Sequence, residues 1–376
     1  MRYLGTAKGI QRIAWTRGKL KVLMFTMLTK KNASSRVECY QFKPYLEANG
    51  IEVCICPPTS VRLFEVFQEP KRIYFRGQGL LFNLFYWYML TLPNRLKDLL
   101  KCLSYDIVLI QRGMFDYASP PILEWIVTRL NKKVICNFDD AIYLDLPDKM
   151  AKMLKMVSCV TVGNKILGDY AIKYNPNVVI IESAVDTDYY TPKDSYETSR
   201  EVVIGWVGNP LNLKMLSIVE DALSILAGRG YHFVLKIVSS KSFAFKDRRI
   251  PVVFKKWSLE NEVANLLSFD IGIMPVRDDE YTRAKEGYKI KQYMACGLPV
   301  VCSPVGKNKE LVKDGENGFW ASSDEDWVEK LSMLIKDSKL REDMGRRGRE
   351  FIERHYSLRR IAPQLKALLE QVYYSH

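Results

Sequence analysis

The sequence predicts an α/β protein made of two doubly wound domains, each a parallel sheet covered by helices on both faces. Three observations lead there. Short, continuous apolar runs rich in β-branched residues recur with helical patterns between them, as strands buried on both faces require. The pattern breaks once, in a polar stretch at 183–201 that has a proline and no helical period, and then begins again. The length of 376 residues also exceeds the size at which one core keeps growing.

In chain order, the first domain (1–190) offers LKVLMFTM (20–27), IEVCIC (51–56), DIVLIQ (106–111), KVICNF (133–138), CVTVG (159–163) and NVVIIES (177–183) as strands. The second (200–357) offers VVIGWVG (202–208), HFVLKIVS (232–239), PVVF (251–254), DIGIMPV (270–276) and LPVVCS (298–303). Both read as Rossmann-like. In the tail (358–376), Ile361, Leu365, Leu368, Leu369 and Val372 share one helical face that needs a partner surface. A last helix crossing back onto the first domain would supply one, and packing on the second domain is the alternative.

Composition excludes several classes. With 48% hydrophobic and 26% charged residues the chain is globular rather than disordered. Eight cysteines sit mostly inside apolar runs without a paired CxxC pattern, as reduced core residues of a cytoplasmic protein do. Cys54 and Cys56 share a strand face, which leaves a metal pair open, though packing is the stronger reading. The three histidines, His232, His355 and His376, have no glutamate in a zinc-protease arrangement, so no metal and no cofactor are expected. The basic N-terminal stretch 1–19 lacks an apolar h-region, so no signal peptide is read.

Net charge is +13, and residues 1–101 hold 17 basic against 6 acidic residues, which concentrates the excess in the first domain. The same region contains GLLFNLFYWYMLTLP (79–93), shorter than the roughly 20 apolar residues of a spanning helix and interrupted by Asn83. Flanked by Lys71, Arg72, Arg76, Arg95, Lys97 and Lys101, it suits the surface of an anionic membrane, with a buried helix and a wet basic edge as the equal alternative. No nucleic-acid-binding motif accompanies the charge, and no nucleic-acid partner is expected.

Ligands of open α/β sheets bind beyond the carboxyl ends of the strands, where helix N-termini attract anions. GWVGNPLNLKML (205–216) follows the second domain's first strand, with Gly208 for close backbone approach and Lys214 on the entering helix. It is neither a P-loop nor GxGxxG. If 284–295 is helical, Lys285, Lys289 and Gln292 fall at i, i+4 and i+7 on one face while Ile290, Tyr293 and Met294 face the core. Gly297 then ends the helix and Pro299 stops it. A solvated polar face is the bland alternative. Gly287, the strand before and the glycine loop SPVGKNKE (303–310) instead converge on one rim.

YKIKQYMACGLPVVCSPVGKNKELVKDGENGFW (288–320) resembles the nucleotide-sugar site of retaining family-four glycosyltransferases of the GT-B fold. IGWVGNPLNLK, CVTVGNKILGDYAIKY, SAVDTDYYTP and DMGRRGREFIERHYS (343–357) resemble further segments of that family. The likeness spans about 150–376 and is topological over 20–145. It implies two Rossmann-like domains facing a central cleft, and metal-independent, retaining transfer of a sugar from a UDP- or GDP-linked donor to a saccharide or lipid-linked acceptor. Donor contacts would come from Gly208, Asn209, Lys214, Arg283, Lys285, Glu286, Gly287, Tyr288, Gln292, Gly306 and Glu310, with helix-terminal N–H groups and Lys214, Arg283, Lys285 or Lys289 stabilising the leaving diphosphate. Gln292 stands where the family's second glutamate contacts the ribose, and the first falls at Ala284, or at Glu286 if two residues are deleted. On the acceptor side, Ser34, Ser35 and Arg36 follow the first strand, and Asp139 and Asp140 end a parallel strand where they could orient or deprotonate the acceptor. Helix capping is the rival role for Ser34, Ser35 and either aspartate. Two other functions stay open: a nucleotide-sugar epimerase on the same fold, and a catalytically silent nucleotide-sugar-binding or scaffold subunit, suggested by Gln292 and Ala284.

Overall fold

The computed structural model of the chain describes residues 19–59, 89, 91–114, 120–197 and 201–375. The aromatic run 79–93 lies outside them apart from Met89 and 91–93, as do Lys71, Arg72 and Arg76. The described residues through Ala184, with the tail from Ile361, form one compact unit, and Val185–Arg360 form a second.

The first unit is a six-stranded parallel sheet of β1 (Leu20–Phe25), β2 (Ile51–Cys56), β3 (Ile107–Gln111), β4 (Val134–Phe138), β5 (Cys159–Val162) and β6 (Val178–Ile180), in the order β2-β1-β3-β4-β5-β6. Every residue of β3, β4 and β5 is buried, which explains why their sequences run apolar without alternation. Strand order reverses beside β1, so the loops after β1 and β3 diverge at the carboxyl edge and open a switch point there. The tail helix Leu358–Tyr374 buries Ile361, Leu365, Leu368, Leu369 and Val372. The ammonium of Lys133, just before β4, donates to the carbonyl of Tyr373 and sits 4.8 Å over its ring. Burial of each large apolar side chain contributes about 1.5–3 kcal/mol.

The second unit repeats the plan with β7 (Val202–Val207), β8 (Phe233–Ser239), β9 (Val252–Lys256), β10 (Ile271–Met274), β11 (Val300–Cys302) and β12 (Gly318–Trp320), ordered β12-β11-β10-β7-β8-β9 and all parallel. Ile204 and Trp206 enter one buried cluster and Val207 the other, so the strand serves a core on each face of its sheet. Here the switch point lies between β7 and β10.

Several local expectations change. The Lys214 segment is not an α-helix at first: Pro210–Val219 winds as 3₁₀ turns and becomes α only at Glu220. The helix expected over 284–295 is shorter, Tyr288–Ala295, preceded by a separate turn of helix at Glu280–Arg283. Gly287 separates them at φ +61°, a conformation costly to any residue with a Cβ. Lys285 therefore does not share a helical face with Lys289 and Gln292. The end of that helix matches expectation: Gly297 takes φ +72°, its N–H bonds Met294 O at 2.9 Å and Leu298 N–H reaches back to Tyr293 O at 2.9 Å, a Schellman closure. Strand β12 has no apolar run of its own, only Gly-Phe-Trp, and exists because β11 offers a free edge. The polar stretch after Ala184 is not a free linker either. Tyr196 donates to Gly297 O at 2.7 Å, Lys193 pairs with Asp270 at 2.6 Å, and Arg349 donates to the carbonyls of Thr187, Tyr190 and Ala295.

Candidate functional site

The carboxyl ends of β7 and β10 part at the second unit's switch point, and the residues gathered there are those of the Gly208 loop and the Lys285–Lys289 stretch. Gly208 fits because of what stands against it: a Cβ would lie 2.7 Å from Lys289 Nζ and 2.7 Å from the ring of Trp206. The half-buried Lys289 amine sits 4.5 Å over the Trp206 ring and has no carboxylate partner among the described residues. Burial, and secondarily the neighbouring charge of Lys285, pull its pKa down from the ordinary lysine value to about 7. An ammonium held without a counter-ion between a glycine backbone and an indole face is arranged for an anion that arrives from outside.

Lys285 reaches Asn212 Oδ1 at 3.2 Å and lies 4.8 Å over the ring of Tyr281. Asp279 caps the Glu280–Arg283 turn; burial raises its carboxyl, but hydrogen bonds from Thr282 and the charges of Lys285 and Lys214 outweigh that and hold it below the usual range. Lys214, on the 3₁₀ segment, is thus electrostatically part of the same rim although exposed. Asn209 caps that segment by accepting from Leu211 N–H at 3.0 Å. Tyr288 packs half-buried against the core.

The other positions expected to touch the donor have these partners within the second unit. Arg283 is exposed and paired with Asp278 at 2.6 Å. Glu286 is buried and faces Lys291 at 3.5 Å, and Ala284 is fully buried, so neither position presents a carboxylate at the rim. Glu310 is exposed and pairs with Lys307 at 2.6 Å, while Gly306 (φ +52°) packs its backbone against that of Arg283. Gln292 lies one turn beyond Lys289 on the same helix face, buried, with its Nε2 donating to Tyr190 Oη at 2.8 Å. Tyr190 donates in turn to Glu262 Oε2 at 2.6 Å, and Glu262 also accepts from Trp257 Nε1 at 3.3 Å.

In the first unit the switch point holds a different cluster. Arg112 follows β3 directly, and its guanidinium donates to Asp139 Oδ1 at 2.6 Å and to Asp140 Oδ2 at 2.5 Å. The two aspartates therefore pair with an arginine rather than cap a helix. Arg112 takes φ +62°, the one non-glycine residue at positive φ among the described residues. Such strain persists where surrounding bonds over-determine it, as the double ion pair does here. Ser34 donates to Asp139 Oδ2 at 2.8 Å and accepts from Gln111 Nε2 at 2.7 Å, so it belongs to the cluster. Ser35 does not: it is fully buried, accepts from Leu28 N–H and donates to Gln111 Oε1, and the helix cap next to it is Asn32. Arg36 folds back on the carbonyls of Lys30 and Lys31 at 3.3 and 3.4 Å.

Arg112, Gln111, Tyr190 and Glu262 escaped the sequence reading. The signal for Arg112 was a charged residue ending an apolar strand, DIVLIQR, at the edge where ligands bind. Tyr190 and Glu262 carried no local signal, because each acts on a residue more than seventy positions away.

Residues 252–351 match the family model for glycosyl transferases group 1. The N-acetyl-alpha-D-glucosaminyl L-malate synthase of Bacillus anthracis is 22% identical over 222 residues, 54% of this chain and 55% of that protein. The matches cover between 17% and 55% of the length of the curated relatives. Sucrose-phosphate synthase from Thermosynechococcus elongatus superposes with a TM-score of 0.69 at 13% identity, over 95% of this chain and 100% of that one. The Anabaena protein HepE, crystallised with UDP and glucose, gives 0.66 at 15% identity over 94% and 100%. The fold is therefore GT-B, as the motif resemblance implied.

Proposed function

We propose that this chain is a retaining, metal-independent glycosyltransferase that takes a sugar from a UDP- or GDP-linked donor to a saccharide or lipid-linked acceptor. The observation that carries this reading is Lys289, a half-buried amine with no carboxylate partner among the described residues, set against Gly208 at the switch point where α/β sheets bind phosphates. As the sugar C1–O bond breaks, charge grows on the departing diphosphate, and a fixed cation in a poorly solvated place stabilises that charge more than it stabilises the ground state. The acceptor oxygen then bonds C1 on the face the diphosphate leaves, and its proton passes to a phosphate oxygen. Asp139 and Asp140, held by Arg112, are assigned to the acceptor's hydroxyls. The group 1 match over 252–351 and the UDP bound to HepE support the donor class.

Calorimetric titration with UDP, GDP and ADP tests the donor site, and turnover of the matching α-linked nucleotide sugar tests the reaction. One nucleotide should bind, and the product should keep the α configuration by NMR and form equally in EDTA. No binding of any nucleotide overturns the reading, whereas binding without turnover favours the silent subunit.

The lipid link rests on a separate feature of the first unit. Two of its surface helices bury their carboxylates and Arg95 while large apolar side chains face outward. In Leu92–Leu99 and the 3₁₀ turn Leu100–Ser104, Arg95 is buried on the carbonyls of Met114, Cys56 and Thr26 and Asp98 is buried, while Leu96, Leu100 and Leu103 are 49–69% exposed. In Ile122–Leu130, Glu124 is buried 3.6 Å from Lys149 while Ile122 and Trp125 are exposed. Asp98 and Glu124 are the only carboxylates of these helices and both are buried, so the charges left outside, Lys97, Arg129 and the half-exposed Lys101 paired with Asp98 at 2.7 Å, are positive. Apolar anchors among cations suit anionic lipid, each basic group adding about 1 kcal/mol near the surface. Among the described residues no helix is long and apolar enough to cross a membrane. Co-sedimentation with anionic vesicles should be salt-sensitive and fall at least about tenfold in a Leu100→Glu/Trp125→Glu variant; equal binding to zwitterionic vesicles would count against it.

A further inference from the structure

The glutamine at 292 is part of a directional hydrogen-bond chain whose polarity is set from the other end. Glu262, as a carboxylate, only accepts, and it receives both Tyr190 O–H at 2.6 Å and Trp257 Nε1–H at 3.3 Å. A phenol has one proton. With that proton committed to Glu262, the Tyr190 oxygen can only accept from residue 292, and it does so from Gln292 Nε2 at 2.8 Å. The amide is thereby locked with its nitrogen inward and its carbonyl oxygen the other way. That oxygen has no partner among the described residues, and its helix face is the one that carries Lys289.

A carboxylate at 292 would meet the lone pairs of Tyr190, and two acceptors would compete for one proton in a buried place. Carboxylates at both 292 and 262 are thus incompatible across Tyr190. Tyr190 is in turn held in register by Arg349, which donates to its backbone carbonyl and to those of Thr187 and Ala295.

We infer that Tyr190 and Glu262 are positioning residues that fix the Gln292 side-chain amide so that its Oε1 accepts hydrogen bonds from the ribose hydroxyls of the bound nucleotide. This rests on the nucleotide-sugar reading proposed above. It assigns Gln292 an acceptor-only role toward the pentose despite the missing charge, and it makes the residue choice at 262 decide the residue choice at 292.

Two measurements separate the parts. In thermal melts without ligand, Gln292→Glu should lower Tm by about 2–8 °C, from one buried unsatisfied acceptor. Adding Glu262→Gln should restore it, because the amide now at position 262 can donate to Tyr190 while Tyr190 donates to the carboxylate now at position 292. The chain is then reversed with net charge unchanged. Calorimetry with UDP and GDP and their 2′,3′-dideoxy counterparts reads the ligand part. Tyr190→Phe frees the amide to rotate and should weaken the ribonucleotide about tenfold, yet leave the dideoxy nucleotide unchanged, a split that general loosening of the fold would not give. Failure of the double variant to recover Tm overturns the relay, and an equal loss for both nucleotides overturns the ribose contact. If wild type binds neither UDP nor GDP, the donor reading and the ribose contact fall together, and the melts still decide the relay.

Discussion

Replacing Lys289 by methionine should make the ligand-free protein more stable and the nucleotide site useless. The amine's pKa of about 7 in the folded protein lies below its unfolded value of 10.5. Below pH 7 it is charged in both states, and the full cost of burying that charge is present. Between about pH 7 and 10.5 the unfolded chain holds a proton that the folded chain has released, so this group makes stability rise with pH across that window. Methionine removes the cost while keeping the unbranched stem over Trp206. For a half-buried amine, with solvent screening discounted, the gain at pH 6 should be on the order of 1–2 kcal/mol, or about 2–8 °C in Tm, shrinking toward zero near pH 10.5. Nucleotide affinity should fall about 10- to 100-fold with the loss of a charge-assisted contact. In wild type, diphosphate favours the protonated amine, so above pH 7 binding should take up a proton, visible as a dependence of calorimetric heat on buffer ionisation. A variant that melts lower than wild type at pH 6, or wild-type binding without proton uptake at pH 8, would sink this account. A residue that destabilises the resting fold and strengthens a bound state is what a functional site requires.

Arg112 should behave in the opposite way. Arg112→Ala leaves Asp139 and Asp140 facing each other without their cation and keeps a Cβ at φ +62°, so it should cost about 3–5 kcal/mol. Arg112→Gly loses the same ion pairs but relieves the backbone, and should recover about 1 kcal/mol of that. Arg112→Lys keeps the charge without the planar fork that spans two carboxylates, and should fall between alanine and wild type. Chemical denaturation of the three variants gives the order. If alanine and glycine unfold alike, the positive φ stores no strain. With the acceptor assigned to this cluster, Arg112→Lys should raise KM for acceptor at least about tenfold while nucleotide affinity stays within about twofold. A loss of nucleotide affinity equal to the loss for acceptor would contradict that assignment.

How far the sequence reached is best seen at the helix that carries Lys289. Ile290, Tyr293 and Met294 pointed inward by their spacing alone, and Gly297-Leu298-Pro299 marked the end, because helical periodicity and the φ preferences of glycine and proline are local properties. The start was misplaced by four residues. Ala284, Lys285 and Glu286 all favour helix, and nothing local said that Gly287 would turn left-handed against Leu311. Gln292 shared a polar face with Lys289 by its spacing, but nothing local said that Tyr190, from the polar stretch between the two strand series, would cover it. Ser34 and Ser35 are adjacent and chemically alike, yet one joins the Asp139 cluster and the other is buried on Gln111. The choice between them depends on where β3 ends.

The amino-acid sequence by itself determined the periodic part of this protein: the apolar strands, the helices between them, the break that divides two sheets, and the glycines that admit close approach. These follow from burial patterns and backbone sterics that act over a few residues. Only the tertiary structure decided which polar groups meet. Lys289 against Gly208, Arg112 between two aspartates, and Gln292 oriented by Glu262 through Tyr190 are contacts across 27 to 102 positions of chain. A hydrogen bond needs its partner within about 3 Å. Which distant residue arrives within that distance is set by strand order and register, which no local stretch of the chain encodes.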